Sequence, residues 1–333
     1  MSWSLTETIT LQMSSKPFDE QKHPTLWPSS ATAIVDGEVV GKCRRQAFFR
    51  YAKDMYSFDT TGKYDYLKPI IELVDEHEED VSDYMKWIWR AGELFEEFVI
   101  QMTKESGLYM GTQVSVYIPD FNVSGKIDLI ALNPTTQKNH IVEVKSVYGF
   151  NASAVIGTDA THRKGQLGTP KEAHLMQLGI YQWWYGQPRG FDHGLLFYGA
   201  RDTGKFAEYL VKVEKTSEDS EDYIFYKPHY PVSADWVNSN ITIQSVLKNY
   251  KLILDSLESN EIPEPDFQLE YSQEKIEQLY QAGKLNKTET AQHEKRKQQI
   301  AEGKARVVKP VIKGDWQCRY CSYASYCYPN NGE

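Results

Sequence analysis

The sequence predicts an α/β fold, a central mixed β-sheet flanked by helices, with helical N- and C-terminal parts. Two observations carry that class. Apolar residues keep a helical spacing through 84–105 and then change to a two-residue alternation between 113 and 147. A further helix-like stretch then precedes two more alternating runs, and the chain beyond 234 reads again as helical.

Taken in order, residues 1–40 mix Ser, Pro and Thr without a period and are expected to form loops and a short strand. Gly41 to Tyr56 predicts a helix, with Ala47, Phe48 and Tyr51 at helical spacing. Residues 57–83 bring tyrosines and then an acidic run, Glu72 to Asp80, of the kind that faces solvent. In the helix at 84–105, Trp87, Ala91, Leu94, Phe95, Phe98, Val99 and Met102 form one apolar stripe. Three strands are expected at Gln113–Ile118, Val123–Leu132 and His140–Val147, with Asn133-Pro134-Thr135-Thr136 turning between the last two. Residues 149–169, rich in Gly, Thr and Ala, predict a mobile loop. Pro170 opens a helix reaching about Tyr185. Strands follow at Gly194–Tyr198 and Phe206–Val213, then helices at 234–256 and 271–302, the second rich in Glu, Lys and Gln. The chain thus reads as an N-terminal region (1–86), a core (87–215) and a helical C-terminal region (216–333).

Hydrophobic residues make up 41% and charged residues 25%, which is globular composition. The formal net charge of −9 argues against bulk coating of nucleic acid but is compatible with a local basic groove. No apolar run approaches the roughly 18 residues of a membrane span, and no basic segment followed by an apolar stretch opens the chain, so a cytoplasmic protein is expected. Of four cysteines, three lie in Cys318-Arg-Tyr-Cys321-Ser-Tyr-Ala-Ser-Tyr-Cys327. In a reducing compartment such a cluster reads as metal ligands rather than disulfides, and a fourth thiolate would come from Cys43. Zinc and an iron–sulfur cluster both accept four thiolates, and the spacing does not separate them. Tyr320, Tyr323 and Tyr326 would shield such a centre, and ligation from residue 43 to residue 318 would staple a long loop.

Four short signals occur in order: Gly92-Glu93-Leu94-Phe95-Glu96, Gly125-Lys126-Ile127-Asp128, Glu143-Val144-Lys145, and Gln177-Leu178-Gly179-Ile180-Tyr181. Phosphodiester hydrolysis wants a hard cation held by oxygen ligands, one or two of them carboxylates. On one strand Glu143 and Lys145 point the same way, while Val142 and Val144 pack behind them. If the Asn133 turn makes the two strands antiparallel neighbours, Asp128 lies beside Glu143. Asp128 and Glu143 would then hold Mg²⁺ or Mn²⁺, with the Val144 carbonyl as a third ligand and Lys145 orienting or activating the attacking water and stabilising phosphate charge. Each signal alone is commonplace: a Glu-x-Lys is usually a cross-strand ion pair, and Gln177 with Tyr181 is usually a polar helix face. Their joint order, and charges set among Ile141, Val142 and Val147, are what point to a site.

That order resembles the RecB-like branch of the PD-(D/E)XK nucleases, over roughly residues 87–185. The resemblance implies a restriction-endonuclease-like core. It gives metal and water roles to Asp128, Glu143 and Lys145, and substrate contact or bracing to Gln177 and Tyr181. Where the branch usually has His in its helix motif, this chain has Glu96, a carboxylate able to ligate metal, with Glu93 and Glu97 beside it. The cysteine pattern is similar to that of the iron–sulfur nucleases, including the CRISPR-associated Cas-four exonucleases and AddB-type helicase–nuclease subunits. Cys43-Arg44-Arg45-Gln46-Ala47-Phe48-Phe49 resembles their first-cysteine segment, with Arg44 where Pro is frequent. The resemblance implies a 4Fe–4S cluster on Cys43, Cys318, Cys321 and Cys327, with Zn²⁺ as the alternative. It implies a metal-dependent exonuclease acting on DNA, single-stranded by preference, in replication, recombination, repair or CRISPR adaptation, with recombination or adaptation proteins as partners. A non-catalytic DNA-binding or recombination module and a site-specific endonuclease are the competing readings. His162, Arg163 and Lys164 would contact the phosphate backbone, and Trp183, Trp184 and Tyr185 would either stack bases or, more commonly for such a cluster, join the core.

Overall fold

The computed structural model describes residues 24–75, 82–158, 168–230 and 234–329, and the chain divides into two compact units. The first comprises Met1–Ile71 and Asp80–Pro263, and the second Glu72–Glu79 and Glu264–Glu333. His162, Arg163 and Lys164 lie outside the described residues.

The first unit begins with a two-stranded hairpin, β1 (Thr32–Val35) and β2 (Glu38–Gly41). Its loop is Asp36-Gly37, both at positive φ (51° and 80°), the mirror-image turn whose twist suits antiparallel strands. Helix α1 (Arg44–Phe58) follows with Cys43 as its N-cap and buries Ala47, Phe48, Tyr51 and Ala52. After the short α2 (Lys68–Asp75) comes α3 (Asp83–Glu105), capped by the Ser82 hydroxyl accepting from the Met85 amide.

The seven-stranded sheet has strand order β3-β4-β5-β6-β7-β8-β9. Its members are β3 (Tyr109–Ile118), β4 (Val123–Asn133), β5 (Lys138–Val147), β6 (Gly194–Ala200), β7 (Phe206–Lys215), β8 (Asp222–Tyr230) and β9 (Val237–Thr242). Every neighbouring pair is antiparallel except β5–β6, which is parallel, so the sheet is mixed. Parallel neighbours need a crossover, supplied here by α4 (Gly149–Ile156) and α5 (Glu172–Tyr181). The Asn133 side chain makes the β4–β5 turn by accepting from the Thr135 and Thr136 amides at 2.9 and 3.2 Å. The pairing Leu129↔Val142 and Ile130↔Ile141 follows from it.

Helix α5 buries Leu175 through Tyr181 without interruption, as expected of a helix enclosed on every side. It touches β2, the Pro28–Ser30 turn and strands β5 to β8. A five-residue π-helical turn, Gln182–Gly186, carries it past Tyr181. Helix α6 (Ile243–Ser259) packs on β1, β8, β9 and α1.

Several sequence expectations are adjusted. The segment expected as loop from 149 forms α4, whose Ala152, Val155 and Ile156 are buried. The helix expected at 234–256 begins only at Ile243, because Val237–Thr242 pairs with β8, and β8 itself was not foreseen. Helix α3 has no fully buried residue. Phe95 and Val99 pack on Leu129, Val142 and Val144, yet Trp87, Leu94, Phe98 and Met102 stay 38–57% exposed. The stripe is therefore split: one flank lies on the sheet, where Phe95 stacks on Phe197 at 6.2 Å and crosses the bare backbone of Gly199.

In the second unit, α7 (Gln273–Gln281) and α8 (Lys287–Ala301) stand where one helix was expected over 271–302. Gly283 at φ 64° stops the first, and a capping box of Asn286 and Glu289 starts the second. Ile276, Leu285 and Val311 form the cluster that holds them. Two four-residue helices, α9 (Trp316–Arg319) and α10 (Ala324–Cys327), carry Cys318 and Cys327, and Cys321 lies in the segment between them.

Candidate functional site

The β4–β5 register brings the first sequence signals together. Asp128 precedes Leu129 on β4, and Glu143 follows Val142 on β5. The Asp128 carboxylate accepts from the Val144 amide at 2.9 Å, and from β3 the Thr112 hydroxyl donates to the Asp128 carbonyl at 2.5 Å. Pleating puts Glu143 and Lys145 on one face and Val142 and Val144 on the other, in the cluster under α3.

The Glu143 side chain has 0% exposure, while that of Lys145 keeps 24%. Lys145 Nζ donates to Glu143 Oε1, and among the described residues Glu143 Oε2 has no donor. Burial pushes Glu143 up to about 8, Asp128 and Glu96 adding to the shift and Lys145 opposing it. Asp128 is also raised, by burial first, against the pull of Lys145, the Val144 amide and a hydrogen bond with Glu143. Glu96, on α3, is raised to about 7 by burial and then by Asp128, and accepts from the Gln113 amide group at 2.7 Å. Burial acts to lower Lys145, but Glu143, Asp128 and Glu96 outweigh it and hold the ammonium above its ordinary value. Three carboxyls thus gather about one ammonium, and burial together with their crowding keeps Glu143 and Glu96 protonated further up the pH scale than an ordinary carboxyl. A set of oxygen ligands short of positive charge fits a divalent cation.

Among the described residues, no group of three or more His, Cys, Asp and Glu side chains stands ready to hold a metal ion. The ligand atoms are engaged instead: Asp128 with the Val144 amide, Glu143 with Lys145, and Glu96 with Gln113. Binding would require rearranging these contacts. Val144 sits inside the ladder opposite Phe197, and the hydrogen bond at the site comes from its amide.

Gln177 and Tyr181 also reach this region. Both are buried; the Tyr181 hydroxyl donates to the Lys126 carbonyl at 3.1 Å and shares a hydrogen bond with Gln177. Burial pushes the Tyr181 phenol far up, with Glu143 and Asp128 adding, so it stays protonated. A β-carbon on Gly125 would collide with its hydroxyl, which is why a glycine precedes Lys126. Beside them opens a cleft of about 680 Å³ lined in part by Trp27, Pro28, Tyr117, Lys126, Gln177 and Tyr181. Trp183, Trp184 and Tyr185 fall in the π-helical turn, where Arg189 lies over the Tyr185 ring at 3.8 Å and Trp183 leans on Trp184 at 5.7 Å.

His174, one turn before Gln177 on α5, was not singled out in the sequence; its position on the Gln177–Tyr181 stripe was the available signal. Its Nδ1 lies 2.8 Å from the Tyr198 hydroxyl, and the field of Lys145 reaches it.

All four cysteines are half-buried. Cys43 belongs to the first unit and Cys318, Cys321 and Cys327 to the second. Within the second unit the Cys321 amide donates to the Cys318 carbonyl at 3.2 Å, and the Cys327 amide to the Tyr323 carbonyl at 3.1 Å. Among the described residues, no helix is long and apolar enough to cross a membrane. No protein-family model and no curated protein matches the chain.

Proposed function

We propose that this chain is a metal-dependent DNA nuclease that cuts phosphodiester bonds at Asp128, Glu143 and Lys145. One observation carries the reading: a fully buried Glu143 carboxyl takes only Lys145 as a cationic partner and sits beside the Asp128 and Glu96 carboxyls, a set of oxygen ligands short of positive charge. Asp128 and Glu143 would hold Mg²⁺ or Mn²⁺, with Glu96 and the Val144 carbonyl as further ligands. When bound, such a cation polarises phosphate and makes water a better nucleophile.

Lys145 is held cationic, so its role is to hold negative phosphate oxygens by charge and hydrogen bond rather than to remove a proton. Tyr181, protonated and tied to the Lys126 backbone, braces β4, and Gln177 fixes Tyr181. Single-stranded DNA is the favoured substrate, because the adjoining cleft carries the exposed rings of Trp27 and Tyr117, which bases stack on irrespective of sequence. The mixed sheet between α3 and α5 would then be a restriction-endonuclease-like core. Cys43, Cys318, Cys321 and Cys327 would hold a 4Fe–4S cluster, or Zn²⁺, by their resemblance to the iron–sulfur nucleases.

The test is digestion of end-labelled single-stranded, duplex and closed circular DNA with Mg²⁺ or Mn²⁺. Linear single strands should be degraded and circles spared, and Lys145→Ala should slow the reaction by about 100-fold or more. Equal cutting by the wild type and Lys145→Ala removes the lysine from the mechanism, and no metal-stimulated cutting of any substrate removes the reading.

A further inference from the structure

The cleft of about 680 Å³ beside Tyr181 has aromatic walls that the chain itself holds in place, and one cation that the chain leaves unused. Leu26 is bridged to β4: its amide donates to the Asn122 carbonyl at 2.9 Å, and the Ser124 amide donates to its carbonyl at 2.9 Å. The next residue, Trp27, accepts on its carbonyl from the Tyr250 hydroxyl at 2.9 Å. The Arg50 guanidinium lies over one face of the Trp27 indole, 4.1 Å from the ring centroid. That leaves the other face for a planar partner, and the residue keeps 39% exposure.

Tyr117, on β3, is 51% exposed, and its hydroxyl donates to Asn122 Oδ1 at 3.2 Å. The same Asn122 side chain donates to the Pro24 carbonyl at 3.0 Å and to the Tyr51 hydroxyl at 2.7 Å. One residue in the β3–β4 turn, at φ 45° where asparagine is better tolerated than most, thus ties down both Tyr117 and the segment leading to Trp27. Rings fixed in advance lose little freedom when a ligand arrives.

Lys126 supplies the charge. It pairs with Ser115 across the β3–β4 ladder, is exposed, and lines the cleft. Its carbonyl accepts from Tyr181, but among the described residues its ammonium makes no hydrogen bond, ion pair or ring contact. Asp128 follows two residues along β4, about 7 Å further by strand rise, within the reach of one nucleotide of an extended strand. An apolar peptide would cover the walls and leave the ammonium bare. A nucleotide offers a planar base to the indole and a phosphate oxygen to the lysine.

We infer that this cleft is a nucleotide subsite for the single strand: the open face of Trp27 stacks one base, Tyr117 borders it, and Lys126 binds a phosphate adjoining the one cut at Asp128 and Glu143. The subsite rests on the nuclease reading and adds to it the residues that set the strand's register.

The experiment measures binding of a 3′-labelled oligothymidylate of about eight nucleotides to the full chain in chelator, by fluorescence anisotropy over a range of salt. Lys126→Gln should weaken binding about tenfold at low salt and make the log–log salt dependence shallower by about 0.7, the share of one phosphate contact on a single strand. Trp27→Leu should weaken binding about tenfold with the salt slope unchanged, because stacking releases no counterions; Trp27→Phe should recover part of the loss. An abasic nucleotide moved along the strand should penalise the wild type at one position and cost Trp27→Leu nothing there. Unfolding midpoints are recorded alongside, Trp27→Phe serving as the control should the leucine variant fold poorly. Lys126→Gln with the wild-type salt slope, or an abasic penalty that persists in Trp27→Leu, overturns the subsite. Free thymidine monophosphate that competes on equal terms with the oligonucleotide makes this a site for free nucleotides and overturns its place on the strand. Mn²⁺ binding by the same proteins reads the carboxylates alone. Wild type that binds Mn²⁺, with DNA affinity indifferent to both variants, loses only the subsite. Position-specific penalties without Mn²⁺ binding keep the cleft and overturn the nuclease; wild type that binds neither loses both.

Discussion

Replacing Glu143 with Gln should stabilise the metal-free protein at alkaline pH. In an unfolded chain this carboxyl titrates near its ordinary 4.5, but in the folded protein it holds its proton to about 8. Between those values the folded state carries the extra proton. Unfolding releases it, so wild-type stability falls as pH rises through the window and levels off above about 8. Each pKa unit weighs about 1.4 kcal/mol, so a rise from 4.5 to about 8 sets about 5 kcal/mol against folding at alkaline pH. Gln does not ionise, and its carbonyl oxygen can still accept from Lys145. That lysine loses one of its three carboxyl partners, which reduces the net gain to about 1–4 kcal/mol. Urea unfolding in chelator from pH 5 to 9 reads this directly. The Glu143→Gln profile should slope downward less than that of the wild type, keeping the contributions of Asp128 and of Glu96, itself raised to about 7, and, with opposite sign, those of the lowered His140, His174 and His193. Mn²⁺ added to the wild type at neutral pH should release protons, and fewer from the variant. A variant with the wild-type slope, or less stable than wild type above pH 8, would refute the view that Glu143 is a buried carboxyl short of positive charge.

Two further outcomes are expected. Gly199→Ala places a methyl where the Phe95 ring crosses β6, and overpacking of this kind should lower stability by about 1–3 kcal/mol, read as a drop in thermal midpoint; an unchanged midpoint would mean α3 is not held there. Anaerobically purified protein should be coloured and contain iron, and Cys321→Ser should lose both the colour and the iron; colourless protein with bound zinc would replace the cluster by Zn²⁺, and protein with neither metal would remove the cysteine proposal.

Much of the candidate site was legible because its residues obey local rules. Asp128, Glu143 and Lys145 lie on strands marked by two-residue alternation, and the Asn133 turn fixes which residues face one another. The neighbourhood of His174 was not legible. Its partner Tyr198 comes from β6, and nothing in the spacing ties that residue to α5. Strands β8 and β9 were missed for a related reason. Their burial comes from neighbours elsewhere in the chain, and β9 runs directly into α6, so one helical reading covered both.

The sequence alone settled periodicity and turn chemistry, and through them the α/β class, the turn between β4 and β5 and the side of β5 that carries charge, while the antiparallel β4–β5 pairing is shown by the structure. These follow from interactions within a few residues along the chain, which composition and spacing encode. Tertiary structure decided how deeply each group is buried, and therefore its charge. Glu143 is pushed up to about 8, Lys145 is held cationic, and His174 is pushed well below its ordinary value, because strands and helices remote in sequence exclude water and set other charges beside them. The same packing split the apolar stripe of α3, since a helix resting on a sheet can bury only the flank that meets it.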